Sequence, residues 1–100
     1  MSTHHLPAER RGIILLTLQP QYPHALTLAA LERAVRAFYF GEERELVADL
    51  AYLVEVGLVK EARSRVGATT IVTWTITAAG LLVAEGRKVD AGVEIAAAGG

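Results

Sequence analysis

Residues 42–60, with the sequence EERELVADLAYLVEVGLVK, decide the fold because their hydrophobic period changes at Gly57. Before this glycine, Leu46, Leu50 and Leu53 recur at the spacing of one helical face. After it, the period becomes the alternation that is typical of a β-strand. A glycine readily adopts the left-handed conformation that ends many helices. We therefore predict a helix that is followed almost at once by a strand.

Two further helices are predicted before this stretch. The first covers residues 7–19, since a proline suits its first turn and the prolines that follow prevent its continuation. The second begins after Thr27 as N-cap and ends at Gly41. We expect Arg10 and Arg11 on the exposed side of the first helix. The predicted apolar stripes are Ile14, Leu15 and Leu18 in the first helix and Leu28, Leu31, Val35 and Phe38 in the second.

A β-hairpin and a short helix are predicted after the third helix. Residues 58–62 and 70–77 form the two strands, and the turn lies within residues 64–68. Trp74 alternates with apolar neighbours, so we predict that it belongs to the core and does not stack on a ligand. Thr77 is predicted as the N-cap of the last helix, which a glycine closes.

This order of elements predicts an α+β fold of the winged helix-turn-helix type. Such a domain has three helices, a two-stranded wing hairpin and, here, a short C-terminal helix. Its third helix usually reads DNA. We predict one such domain over residues 7–89, with flexible termini at residues 1–6 and 90–100.

Several motifs resemble those of small winged-helix proteins that Mu-like prophages carry. DLAYLVEVGLVK at residues 49–60 is similar to the third helix and first wing strand of winged-helix regulators, and TWTITAAG at residues 73–80 is similar to their second wing strand and last helix. The pattern T-x-x-G-L-x-V-A-x-G-R at residues 77–87 and the Gly-Val pair at residues 92–93 narrow the resemblance to the prophage family. Its members are described as transcriptional regulators, so the resemblance implies a phage regulator. That family opens the third helix with a Ser-Arg-Asp type sequence, whereas residues 42–44 here are Glu-Glu-Arg.

The composition argues against several other classes of protein. Ten basic and eleven acidic residues among 100 create no bulk positive field of the kind that drives nonspecific binding to nucleic acids. No cysteine is present, which removes thiolate metal sites and fits a reducing compartment. The resemblance to prophage proteins implies that this compartment is the cytoplasm of a bacterial host. The apolar runs are far shorter than the roughly 20 residues of a membrane span.

The sequence contains no recognisable set of catalytic or metal-binding residues. His4 and His5 sit in a predicted flexible terminus and His24 sits in a loop, so they offer no fixed ligand set. No nucleophile can be paired with a general base. We therefore predict a protein that is not an enzyme and has no metal or cofactor.

Two functions remain open at this stage. In one, the domain binds double-stranded DNA through Arg44, Tyr52 and the wing residues Lys60, Arg63 and Arg65. In the other, a non-catalytic interaction module docks a basic protein partner on the third helix through Glu45, Asp49, Tyr52 and Glu55. Residues 42–55 hold five acids and one base, which would repel phosphates, so the wing is expected to carry more of any DNA contact. A homodimer is compatible with both functions.

Overall fold

The computed structural model describes residues 6–38 and 41–96 of the chain. Its α-helices are α1 (Pro7–Leu18), α2 (Leu28–Val35), α3 (Glu43–Glu55) and α4 (Ala78–Ala84). A short 3-10 turn, Gln19–Gln21, follows α1. The predicted order of helices is therefore confirmed.

The strands form a three-stranded antiparallel sheet in the described part of the chain. Its order is β1 (Leu26–Thr27), β3 (Thr69–Ile76) and β2 (Val59–Val66). We call the β2–β3 hairpin, residues 59–76, the wing. Its strands pair along their whole length, and Gly67, with a φ of +64°, forms the tight turn between them. The wing is longer than predicted because residues 64–66, expected in the turn, continue β2.

The core lies between the helices and one face of the sheet. Each predicted stripe contributes to it, and Trp74 is only 7% exposed, which confirms its assignment to the core. Residues that are almost fully buried include Ile14, Leu15, Leu18, Leu31, Val35, Leu46, Leu50, Leu53, Leu58, Val59 and Ile76.

The end of α3 is tied directly to the start of α4. Gly57 has a φ of +80° and ends α3, as the sequence predicts. The Thr77 hydroxyl donates to the carbonyl oxygen of Gly57 at 2.7 Å and accepts from the amide of Gly80 at 3.0 Å. This N-cap therefore holds the base of the wing beside α3.

Two predictions about the second helix region are corrected. The helix ends at Val35, well before Gly41, and Phe38 is 60% exposed instead of lying in the buried stripe. The strand β1 was not predicted, because two residues are too short to show a period. It forms because Leu26 pairs with Trp74 in the centre of the sheet.

Residues 90–96 lie against α1, although the sequence predicted a flexible tail from residue 90. The Glu94 amide donates to the Ala8 carbonyl oxygen at 3.0 Å, and Val93 and Ile95 pack against the core. Gly12 permits this approach, since a Cβ at that position would overlap the backbone of Glu94. Mobility of this segment stays a prediction, and residues 1–5 and 97–100 lie outside the described residues.

Candidate nucleic-acid interface

The outward face of α3 differs from the predicted one. The helix buries Leu46, Asp49, Leu50 and Leu53, so its opposite side faces solvent. The exposed residues there are spaced three and four apart, as one helical face requires. They are Arg44, Val47, Ala48, Ala51 and Glu55. Of the predicted interface residues Glu45, Asp49, Tyr52 and Glu55, only Glu55 is exposed. The outward face therefore carries small side chains with one charge of each sign, Arg44 and Glu55, and is not acidic.

Asp49 is the main reason for this correction. Its side chain is 1% exposed and faces α1. Arg10 donates from Nε to Oδ2 at 2.8 Å, and Arg11 Nε lies 3.3 Å from Oδ1. Arg10 also lies 3.4 Å from Glu45. The two arginines therefore neutralise carboxylates of α3, and the predictions of an outward Asp49 and of exposed arginines on α1 are wrong.

A signal for this burial was present in the sequence. Asp49 follows Leu46 by three residues and precedes Leu53 by four, so it shares their helical face. The polarity of an aspartate led to its assignment to the outside. A buried carboxylate requires a partner charge, and the adjacent arginines of α1 provide it.

Tyr52 is also held against the rest of the molecule. Its hydroxyl donates to Asp90 Oδ2 at 2.7 Å, and its ring centroid lies 3.9 Å from the guanidinium carbon of Arg11. Arg11 donates in turn to the Gly92 carbonyl oxygen at 3.1 Å. The hydrogen bond with Asp90 raises the pKa of Tyr52 above its ordinary value of 10.0. Tyr52 is thus a contact between α3, α1 and residues 90–92, and the prediction that it lies on an open face is wrong.

Arg44 lies at the first turn of α3 and is open to solvent. Its side chain is 84% exposed, with Nε at 2.7 Å from Glu42 Oε2. Glu42 is the N-cap residue, and its amide donates to Glu45 Oε1 at 2.7 Å, so carboxylates replace the hydroxyl that usually caps a helix. An exposed ion pair of this kind is weak, which leaves the Arg44 guanidinium available to a phosphate or a base edge.

The wing carries the remaining predicted residues on two different faces. Arg63 and Arg65 alternate with Ser64 and share a face, whereas Lys60 points to the other side of the sheet. Arg63 is 68% exposed and lies 3.2 Å from Glu61, and every residue from 60 to 70 is exposed. The structure therefore brings Arg63 and Arg65 together and separates them from Lys60.

The histidine residues bear on the prediction about metal binding, and the helix lengths bear on the prediction about membranes. His24 is exposed, and His4 and His5 lie outside the described residues. Within residues 6–38 and 41–96, no three metal-ligating side chains cluster. No helix in those ranges has both the length and the apolar character needed to cross a bilayer.

Comparison with known proteins identifies the fold. No family model and no curated protein sequence matches the chain. Among solved structures, a PadR family transcription regulator from Clostridium difficile is 15% identical with a TM-score of 0.62, over 75% of this chain and 79% of the other. The protein smu.1704 from Streptococcus mutans is 14% identical with a TM-score of 0.60, over 86% of this chain and 98% of the other.

A structure of Bacillus subtilis PadR in complex with operator DNA is also similar. It is 14% identical with a TM-score of 0.64 over 84% of this chain, which spans about half, 51%, of that protein. At sequence identities of 14% to 15%, what this chain shares with these proteins is the fold. The resemblance to prophage proteins stays a prediction. The described residues form a mixed α+β winged-helix fold of the kind found in PadR-family transcription regulators.

Proposed function

We propose that this protein is a DNA-binding transcription regulator that contacts double-stranded DNA with the outward face of α3 and with the wing. The observation that carries the proposal is the exposed wing, where three basic residues stand against one acidic residue. Its base is fixed beside α3 by the Thr77 cap. A helix for the groove and a cationic hairpin beside it are the parts with which winged-helix domains hold DNA.

The internal ion pairs of α3 support this proposal. Residues 42–55 hold five acids and one base, a balance that would oppose an approach to phosphates. Arg10 and Arg11 offset two of these charges at Asp49 and Glu45. The small side chains on the outward face also allow the helix backbone to approach a groove closely.

The same ion pairs weaken the alternative of an acidic docking helix. Of its four predicted residues, Asp49 is buried, Glu45 is paired with Arg10 and Tyr52 is bonded to Asp90. Only Glu55 is open to solvent. A basic protein partner therefore loses most of the predicted acidic face, and the other exposed carboxylates, Glu42 and Glu43, lie at the start of the helix beside Arg44.

The proposal gives each basic residue a DNA contact that fits its position in the fold. Arg44 at the start of α3 reaches a base edge or a phosphate, and Arg63 and Arg65 neutralise phosphates beside the groove. Lys60 lies on the other face of the wing and contributes through long-range attraction. The resemblance to Mu-like prophage proteins adds that the operator lies in phage promoter DNA, bound in the host cytoplasm without any enzymatic step.

The test is a DNA-binding titration with matched charge variants. Fluorescence anisotropy is measured on promoter fragments and on sequences selected from a random pool. The double variant Arg63→Ala with Arg65→Ala is expected to bind on the order of tenfold more weakly, because two phosphate contacts are lost.

The double variant Arg87→Ala with Lys88→Ala is the control. It removes the same charge from exposed positions beyond α4, outside the proposed interface, and should bind almost as the unmodified protein does. If both double variants lost the same amount of DNA affinity, binding would depend on net charge alone. Absence of any binding at low salt would reject the proposal.

A further inference from the structure

The outward face of α3 carries apolar side chains at positions where a helix that reads bases usually carries polar ones. Val47, Ala48 and Ala51, which we call the apolar patch, are all exposed and are spaced three and four residues apart. Val47 retains 43% exposure, although the opposite side of the same helix is buried in the core. The charged residues of this face, Arg44 and Glu55, lie at its two ends.

The side chains of the apolar patch have no hydrogen-bonding atoms, and this limits which base they can recognise. In the major groove, guanine, adenine and cytosine present donors and acceptors that require a polar partner. Thymine also presents its C5 methyl group, for which an apolar side chain is the usual partner. Contact between this methyl group and the patch removes apolar surface of both molecules from water. The chemistry of the patch therefore matches thymine.

We propose that the apolar patch reads thymine methyl groups in the major groove, with Val47, its largest side chain, making the main contact. This inference rests on the proposed function and deepens it by naming the base that α3 selects. The surroundings of the patch favour DNA over an apolar protein surface, because exposed arginines lie on both elements of the proposed interface. They are Arg44 on α3 and Arg63 and Arg65 on the wing.

The length of the apolar patch limits the number of bases that it can read. From Val47 to Ala51 the helix rises about 6 Å, at about 1.5 Å per residue. Successive bases lie about 3.4 Å apart along a DNA strand. A helix that lies along the groove therefore sets the patch against about two neighbouring base pairs. We expect a thymine, on either strand, at each of these positions.

Replacement of thymine by uracil tests the proposal, because uracil keeps every hydrogen-bonding group of thymine and lacks only the C5 methyl group. A binding site is first selected from a random pool of duplexes, and each of its thymines is then replaced by uracil in turn. Fluorescence anisotropy with the full chain measures the affinity for each duplex. Loss of a contacted methyl group should weaken binding about fourfold, as burial of one such group predicts.

Val47→Ala makes the corresponding change in the protein. It removes two methyl groups from the patch, so the uracil penalty at the thymine that Val47 contacts should fall below about twofold. Alanine favours a helix at this exposed position, and circular dichroism checks that the variant is folded. Val89→Ala is the control, because it removes the same atoms from a side chain that lies beyond α4 and is 89% exposed. It should keep the full uracil penalty.

The outcomes separate this inference from the function on which it rests. A uracil penalty at neighbouring thymines that Val47→Ala reduces and Val89→Ala retains supports the proposal. A uracil penalty that Val47→Ala leaves unchanged overturns it, since other residues would then read the methyl groups.

A selected site without thymine, or one that binds equally well with uracil, also overturns the proposal, and the patch would then be free for an apolar protein surface. In that case, DNA binding that still depends on Arg63 and Arg65 leaves the proposed function intact. Absence of binding to any duplex at low salt rejects the proposed function and this inference together.

Discussion

Asp49 holds the orientation of α3 relative to α1 through its two arginine partners. The carboxylate is 1% exposed, whereas the side chains of Arg10 and Arg11 retain 13% and 21% exposure. A buried charge of this kind is costly unless it is paired and hydrogen-bonded. The pairing therefore permits an aspartate within a stripe of leucines, and it sets which residues of α3 face outward.

Replacing Asp49 should destabilise the fold strongly. Asp49→Asn keeps the shape but leaves two partly buried guanidinium groups without their shared counter-charge, and we expect a loss of about 3 kcal/mol in the free energy of unfolding. Urea denaturation, followed by circular dichroism, measures this free energy of unfolding. Glu55→Gln, on the exposed face of the same helix, is the control and should change the value by less than about 0.5 kcal/mol. A similar small change in both variants would contradict the role given to Asp49.

Tyr52 should make stability fall at high pH. Because the hydrogen bond to Asp90 raises the pKa of Tyr52 above 10.0, the folded protein keeps the phenol proton where the unfolded chain loses it. This contribution to stability is complete below about pH 10 and is lost as the pH rises through the folded-state pKa. The difference in unfolding free energy between the unmodified protein and Tyr52→Phe should therefore shrink as the pH is raised above that point.

Asp90→Asn provides the complementary measurement. It removes the carboxylate that accepts from Tyr52, so the pKa of Tyr52 should move back towards 10.0. Ultraviolet absorbance of tyrosinate, compared with the titration of Tyr52→Phe, isolates this group. An unchanged titration in Asp90→Asn would show that the hydrogen bond is not formed in solution.

At the scale of elements, residues 90–96 close the side of the molecule where α1 and α3 meet. The Glu94 amide and the Arg11 side chain connect this segment to α1, and Tyr52 connects it to α3. The absence of side chains at Gly12 and Gly92 makes room for it, since a Cβ at Gly92 would overlap Tyr52. The segment thus contributes to stability despite having no regular secondary structure.

Gly12→Ala should displace this segment from α1. The new methyl group would overlap the backbone of Glu94, which cannot move aside as a flexible side chain could. We expect a loss of about 1 to 3 kcal/mol in the free energy of unfolding and faster hydrogen exchange at the Glu94 amide. The Leu58 amide, which donates to Leu53 at the end of α3, is the internal control and should lose protection only through the global change in stability. Protection of Glu94 equal to that of the unmodified protein would contradict the prediction.

At the scale of the whole molecule, the charge distribution matters more than the net charge. The chain has a net charge of −1, but the wing holds three bases and one acid, and two arginines of α1 are used internally. Local positive charge on an exposed hairpin is sufficient for contacts with phosphates even when the total is near neutral.

The salt dependence of DNA binding should show directly how many phosphates the wing contacts. The logarithm of the binding constant falls with the logarithm of salt concentration by about 0.9 for each phosphate neutralised. Replacing Arg63 and Arg65 with alanine should reduce that slope by about 2, whereas replacing Arg87 and Lys88 should leave it nearly unchanged. Anisotropy titrations over a series of salt concentrations give both slopes. The same slope in both variants would place the phosphate contacts elsewhere.

The local features of the fold were predictable because each depends on residues close together in the chain. The leucines of α3 show the helical period within two turns, and Gly57 and Thr77 act through their own backbone neighbours. The strand β1 was missed because its two residues are defined by pairing with Trp74, far along the chain. Phe38 was misplaced because nothing nearby in the sequence ends α2 at Val35.

The sequence by itself determined the order of the four helices and the two wing strands, and with it the exposed wing that carries Arg63 and Arg65. Only the tertiary structure decided what α3 presents to solvent. Periodicity places Asp49 on the same face as Leu46 and Leu53, but whether a carboxylate can be buried there depends on a counter-charge that the sequence does not locate in space. Arg10 and Arg11 are about 39 residues away in the chain and 2.8 to 3.3 Å away in the fold.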